Sequence, residues 1–269
     1  MHDAIKDRVK ELLSTGQIDG FLALKNENGH IKPHLFVSSE EVDHLSIGDH
    51  LKAGDTRYPL TKILTRLLCE HPEDRIGILV RGCDQRALKA LAAWNQIALE
   101  QVVPIGVACP EELAQACGCA QPYPDEWIEG EKVEPRDPRP ADWEGKSRLE
   151  RLRDWSKEFE KCIKCYGCRN ACPMCFCKEC SLESDDVVPK GEIPPQFPMF
   201  HLVRAVHMIG RCVDCGMCEE ACPANIPLRS LYKKVNDIVE TRFKCRTGVE
   251  QIKPSPLHRI EEPPPAVEF

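Results

Sequence analysis

The chain has 269 residues, 17 cysteines and a formal net charge of −7. That length suits one large domain or two modest ones, and the acidic balance argues against a nucleic-acid binder, whose phosphate-facing surface is normally basic. No run approaches the roughly 18 consecutive apolar residues of a spanning helix, and the N-terminus lacks the apolar core of a signal peptide, so the expectation is a cytoplasmic protein whose cysteines bind metal instead of forming disulfides.

The first 120 residues read as an α/β region. Ile5, Val9, Leu12 and Leu13 fall at helical spacing, with Gly16 as the stop. "FLAL" at 21–24 reads as a strand, and Leu60, Ile63, Leu64, Leu67 and Leu68 form one face of a helix that Pro72 ends. Cys69 is read as part of that helix's core face. "IGILV" at 76–80, a turn, the helical "QRALKALAAWNQIALE" and "VVPIGVA" at 102–108 make a βαβ unit, so the sheet there is expected to be parallel.

From Pro122 the composition turns proline-rich and charged, which predicts an extended linker or a loop ordered against its neighbours. Helices are predicted over 147–161, 198–211 and 226–243, and a second proline-rich stretch closes the chain. The expected organisation is an α/β domain with a partly parallel sheet over 1–121, a linker over 122–146, a mainly α-helical ferredoxin-type domain over 147–245 and a tail over 246–269.

Cysteines supply the chemistry. Cys162, Cys165, Cys168 and Cys172, followed by Pro173, spell C-x2-C-x2-C-x3-C-P, and Cys212, Cys215, Cys218 and Cys222 with Pro223 spell it again. A tight loop offers three thiolates to a [4Fe–4S] cube, and the fourth is better placed to reach the neighbouring cube. The expected sets are Cys162, Cys165, Cys168 and Cys222 for one cube, and Cys212, Cys215, Cys218 and Cys172 for the other. The alternative is a pair of structural zinc sites in an interaction module, but zinc knuckles come as separated pairs.

Cys175, Cys177 and Cys180 follow within the first run and offer three ligands of a third [4Fe–4S] site, with the fourth drawn from Cys83, Cys109, Cys117, Cys119 or Cys245. Cys83, Cys109, Cys117 and Cys119 are themselves four in number. His201 and His207, on the helix before the second run, are read as facing solvent or a partner, and that helix, with Arg204, as a docking face.

"GRCVDCGMCEEACPANIPL" resembles the helical dicluster domain of succinate dehydrogenase iron–sulfur subunits and heterodisulfide reductase C chains. "ELLSTGQIDGFLAL", "TRYPLTKIL", "GILVRGCDQRAL" and "IGVACPEEL", in that order, resemble the beta-subunit family of coenzyme F-420 hydrogenases and formate dehydrogenases. "CIKCYGCRNACPMCFCKEC" is similar to the stretch that follows in the longer members.

The resemblance implies an electron-transfer subunit of a multi-subunit oxidoreductase: a hydrogenase, a formate dehydrogenase or a heterodisulfide-reductase-like complex. Its partners would be the other subunits of that complex. It also implies a flavin, FAD, in the α/β domain that exchanges electrons with a deazaflavin or nicotinamide, with Arg81, Gly82, Asp84, Arg57 and Tyr58 as the contacts. Two departures bear on that flavin. The glycine-rich stretch that flavin-binding members carry ahead of the first helix is absent from these residues, and no GxGxxG or Walker-type loop occurs. The expected function is therefore a relay of single electrons through two or more clusters, with a flavin-dependent dehydrogenase as the alternative.

Overall fold

The computed structural model describes residues 2–48, 57–119, 121–134 and 145–249. The chain divides into two compact units, Met1–Pro138 and Arg139–Phe269. Residues 135–144 of the proline-rich stretch, and the tail from residue 250 onward, lie outside the described residues.

The first unit is built on a mixed five-stranded sheet with path order β2-β1-β4-β5. Strand β1, Gly20–Glu27, buries Phe21, Leu22, Ala23 and Leu24 in succession, as a strand covered on both faces does. It runs antiparallel to β2, His30–Phe36, through a hairpin in which Asn28 and Gly29 take φ of 55° and 83°. Two left-handed residues in a row match the twist of the flanking strands. The short β3, Leu45–Ser46, also pairs with β1.

Parallel pairing joins β1 to β4, Ile76–Val80, and β4 to β5, Val102–Gly106. The connection from β4 to β5 is helix α3, Gly82–Ala93, which makes the expected βαβ unit. This helix starts earlier than its apolar pattern suggests and ends at Ala93, because Asn95 turns left-handed at φ 54°. Pro104 sits in β5, at the end of the sheet path, where a missing backbone donor is tolerated.

Helices α1, Asp3–Ser14, and α2, Leu60–Glu70, bury Ile5, Val9 and Leu12 and Leu60, Leu64 and Leu68. Cys69 is exposed, correcting its assignment to the core. One residue beyond Leu68 is a rotation of about 100°, enough to leave the apolar stripe.

Residues 121–130, read above as the start of a linker, lie against the sheet. Ile128 N–H donates to the Gly106 carbonyl at 3.0 Å and Ala108 N–H to that of Glu129 at 2.9 Å, and His2 pairs with Glu129. A Cβ on Gly106 would fall 1.9 Å from the Glu126 carbonyl oxygen, so only glycine admits this backbone.

The second unit repeats itself. Helix α5, Arg148–Phe159, leads into the first cysteine run and the short α6, Gly167–Asn170. Fifty residues on, α7, Met199–His207, leads into the second run and the short α8, Met217–Glu220. Helix α9, Leu228–Phe243, lies against α7 and α8. Ser147 caps α5, its hydroxyl accepting from Glu150 N–H while Glu150 accepts from Ser147 N–H at 2.7 Å.

Buried Phe159, Phe200, Tyr232, Met174 and Leu182 form the apolar interior of this unit, and His201 is buried with them. The His201 ring stacks on Phe159 at 4.1 Å with 5° between planes and meets Phe200 edge-on at 5.1 Å. Arg204 is buried too. The expected docking face is thus corrected: His201 and Arg204 point inward with Phe200, Ala205 and Met208, while Met199, Leu202, Val206 and His207 face outward. Among the described residues no helix is long and apolar enough to cross a membrane.

Candidate metal centre

The two cysteine runs adopt one backbone path twice. Lys164 and Tyr166 take φ of 54° and 58°; their counterparts fifty residues on, Asp214 and Gly216, take 55° and 77°. These left-handed residues bend each loop so that backbone N–H groups turn toward its own thiols. Lys164 N–H lies 3.4 Å from Cys162 Sγ, and Gly167 N–H lies 3.5 Å from Cys165 Sγ. In the second run, Asp214 N–H bonds the Cys212 thiol. Such donors favour the thiolate form.

Helices α6 and α8 lie against each other. A Cβ on Gly167 would come within 2.5 Å of the Ala221 carbonyl oxygen, a backbone approach that only glycine permits. Ala221 precedes Cys222, so the contact carries the last cysteine of the second run to the first loop.

The neighbours of each thiol follow from that approach. Burial raises the Cys162 thiol above its ordinary range, and Cys222 and Cys165 act on it from nearby. Cys168 is raised by burial, with Cys162, Cys165 and Cys222 around it. The Cys172 thiol is pushed well up, first by its hydrogen bond with Cys175 and then by burial, and it feels Cys215 of the second run. Burial pushes Cys212 up to about 12, with Asp214 and Cys215 adding to it. Cys218 is raised well above its ordinary value by burial, with Cys215 and Cys212 as neighbours. A buried thiol stays protonated until a metal takes the proton's place.

Among the described residues no three His, Cys, Asp or Glu side chains converge as ligands of a single ion. A cube takes each thiolate at a different iron corner, so its ligand frame is wider than that of one tetrahedral ion.

The cysteines of the "MCFCKEC" stretch meet arginines. Arg204 Nη1 lies 3.1 Å from Cys175 Sγ, Arg211 Nη1 lies 3.7 Å from Cys177 Sγ, and Arg169 hydrogen-bonds Cys180. Arg204 Nη2 also donates to the Cys168 carbonyl at 2.7 Å, and its guanidinium lies over the Tyr232 ring at 5.4 Å. Arg229 of α9 forks onto the Asp214 carboxylate at 2.6 and 3.0 Å, which ties the second loop to that helix. The cysteine spacing gave no sign of these arginines. Only the adjacency of Arg211 to Cys212 and of Arg169 to Cys168 could have pointed to two of them.

In the first unit the residues implied as flavin contacts have other work. Asp84 accepts from Arg81 N–H at 3.0 Å and closes the first turn of α3, while burial raises its carboxyl. Gly82 is filled by chain: a Cβ there would lie 2.2 Å from the Gln121 carbonyl oxygen and 2.7 Å from that of Tyr123. Tyr58 donates its hydroxyl to the Ile31 carbonyl at 3.0 Å. Arg57 acts on both Cys83 and Asp84. Arg81 is buried, not solvated: its Nη2 donates to the Ile47 carbonyl at 3.2 Å and its Nη1 points at Cys109 Sγ at 3.6 Å.

Comparison with known proteins gives partial relatives. The chain is 44% identical over 110 residues, 41% of its length, to an F420-dependent formate dehydrogenase subunit beta of Methanocaldococcus jannaschii, of which it covers 29%. It is 43% identical over 106 residues, 39% of its length, to an F420-dependent formate dehydrogenase 1 subunit beta of Methanococcus maripaludis, of which it covers 27%. The chain thus spans less than a third of either relative. No family model matches it. Its likeness is to the beta subunits of formate dehydrogenases, and its many cysteines fit iron–sulfur binding.

Proposed function

We propose that this chain is an iron–sulfur electron-transfer subunit of a formate-dehydrogenase-like oxidoreductase complex, passing single electrons through two [4Fe–4S] cubes. Cys162, Cys165, Cys168 and Cys222 would hold one cube, and Cys212, Cys215, Cys218 and Cys172 the other. The observation that carries the reading is the exchange of neighbours: Cys222 acts on Cys162 and Cys168, and Cys172 feels Cys215.

The cubes would supply reversible one-electron chemistry. The chain's own residues hold them: the paired left-handed turns aim N–H groups at sulfur, the contact of Gly167 with Ala221 fixes the two loops together, and Arg204 places a buried positive charge beside both. The partial relatives support a place beside a catalytic dehydrogenase subunit. The glycine at the start of α3 is taken up by the carbonyls of Gln121 and Tyr123, which favours the relay over a flavin enzyme built on that turn.

Anaerobic purification from the native source tests the proposal. The chain should co-purify with a catalytic oxidoreductase subunit. The separated chain should accept electrons from dithionite, show two interacting cluster signals and turn over neither formate nor a nicotinamide. A chain without iron, or one that alone reduces a deazaflavin with bound flavin, overturns it.

A further inference from the structure

Tyr232, on α9, is 1% exposed and among the largest side chains that the fold buries completely. Elsewhere the helices fill such positions with groups that carry no polar proton: Leu12 on α1, Leu64 on α2, Leu91 on α3, Leu113 on α4, Glu111–Cys117, and Phe200 on α7. Phenylalanine would fill the Tyr232 site equally well, so the hydroxyl needs a reason of its own.

A phenol has one proton to donate and keeps it at about pH 7. Tyr58 and Tyr166 direct theirs to the carbonyls of Ile31 and Leu182, at 3.0 and 2.8 Å. Among the described residues no acceptor takes the proton of Tyr232. Its polar neighbour is Arg204, whose guanidinium lies over the ring at 5.4 Å and can only donate.

Arg204, 3% exposed, has the same want. Its Nη1 and Nη2 reach Cys175 Sγ and the Cys168 carbonyl, but its Nε is buried with no partner among the described residues. Buried polar groups are nearly always matched. Two unmatched donors on adjacent side chains therefore mark a place in this core where an acceptor belongs.

The groups around that place are sulfurs. Cys168 of the first run and Cys218 of the second both act on the Tyr232 phenol. Helix α9 lies against α8, which carries Cys218, while Arg204 links the ring to Cys168. A thiol sulfur accepts weakly. The sulfurs of an iron–sulfur cube carry negative charge and accept more strongly, and hydrogen bonds to them help set the cube's potential.

We infer that the Tyr232 hydroxyl donates a hydrogen bond to a sulfur of one proposed cube, in the space between Cys168 and Cys218, and raises that cube's potential. The inference rests on the dicluster reading and adds regulation to it. Reduction places more negative charge on the cube, so a donor at its sulfur favours the reduced form. The charge of Arg204 acts on both runs, but a single phenol proton serves one sulfur at a time. Tyr232 is thus a positioning residue that makes the two cubes unequal and decides on which of them an electron rests.

The test uses the full chain, loaded with iron and sulfide and purified without oxygen, and redox titration followed by paramagnetic resonance. Tyr232→Phe keeps the ring and removes only the hydroxyl. One midpoint potential should fall by about 59 mV, a tenfold change in a one-electron equilibrium, while the other holds and the iron content is unchanged. In the opposite direction, 3-fluorotyrosine placed at position 232 has the same shape and is a stronger donor, so it should raise that same potential. A side chain that merely fills space would not move the potential both ways.

Potentials that ignore both changes overturn the inference, and so does a parallel fall of both cubes in Tyr232→Phe. Should that variant fail to hold its clusters, the fluorinated protein is read in its place, and an unmoved potential there overturns the inference. Iron and sulfide analysis of the wild type separates the two readings. A wild type without cubes sinks the dicluster reading and this inference with it; a loaded wild type whose potentials do not respond sinks this inference alone.

Discussion

The guanidinium of Arg204, on α7, donates a 2.7 Å hydrogen bond to the carbonyl of Cys168 in the first cysteine run. The same buried cation feels Cys172, whose neighbour is Cys215 of the second run, so one positive charge serves both proposed cubes. A cation near a cluster favours its reduced, more negative state.

Arg204→Met should therefore lower both midpoint potentials. At an effective dielectric of about 20 and a separation of about 6–7 Å, a unit charge is worth roughly 2–3 kcal/mol, or ~100 mV for one electron. Arg204→Lys should recover part of the shift, since lysine keeps the charge but not the fork. Redox titration followed by paramagnetic resonance reads both values. Potentials that stay within about 20 mV would remove Arg204 from any role in tuning.

Exchange of the fourth ligands predicts damage at a distance in sequence. Cys172→Ser should alter the cube held by Cys212, Cys215 and Cys218, and Cys222→Ser the cube held by Cys162, Cys165 and Cys168. The motive is that Cys172 feels Cys215 while Cys222 acts on Cys162. Paramagnetic spectra of the two variants distinguish the cubes. If each substitution disturbs only the cube of its own run, the pairing is wrong.

Gly167→Ala is expected to strain the contact between the two loops, because the new methyl would meet the Ala221 carbonyl oxygen at 2.5 Å. Backbone cannot yield as a flexible side chain does, so the cost should be about 1–3 kcal/mol, with faster loss of both cubes on dilution. Gly145→Ala, where an added Cβ meets nothing within 4 Å, is the control and should be near neutral. Denaturant unfolding under anaerobic conditions measures the difference. A variant as stable as the control would show that the loops tolerate separation.

His201 predicts an acid-sensitive interior. Burial, with Arg204 nearby, lowers its pKa from 6.5 to about 4. Above about pH 7 the ring is neutral in folded and unfolded chains alike. Between roughly pH 6.5 and 4 the unfolded chain binds a proton that the folded chain does not, so stability falls as pH falls, by ~2 kcal/mol at about pH 5, and levels off below about pH 4. His201→Phe keeps a ring against Phe159 and should remove that slope. Comparing the two proteins at about pH 7.5 and about pH 5 separates this term from acid loss of clusters. Parallel losses in both would assign the acid sensitivity elsewhere.

How much could be read beforehand varied with the kind of constraint. The parallel core was legible because "IGILV" is apolar on both faces, and the two cysteine runs because C-x2-C-x2-C-x3-C-P is a spacing that fits iron–sulfur binding. Strand β2 was missed: "HIKPHLF" carries two histidines, a lysine and a proline on a half-exposed strand, though Asn28-Gly29 before it is a strong hairpin signal. The reading of α7 put His201 and Arg204 outside because polar residues usually are. That helix instead buries them, one against aromatic rings and the other beside thiols, and exposes Leu202 and Val206. The contacts of Arg81 and Arg86 with Cys109 and Cys119 join residues about 30 apart in the chain, a relation that no local pattern encodes.

The twofold repeat of loop and short helix, locked where Gly167 meets Ala221, has a consequence for how the protein would fail. If the fourth ligands are exchanged as proposed, neither loop would own a complete set, and oxygen that strips one cube would also remove an anchor from the other. Decay should then be all-or-none. A partly inactivated sample would be a mixture of fully loaded and fully bleached molecules, with few chains caught halfway, and repair would have to rebuild both cubes together.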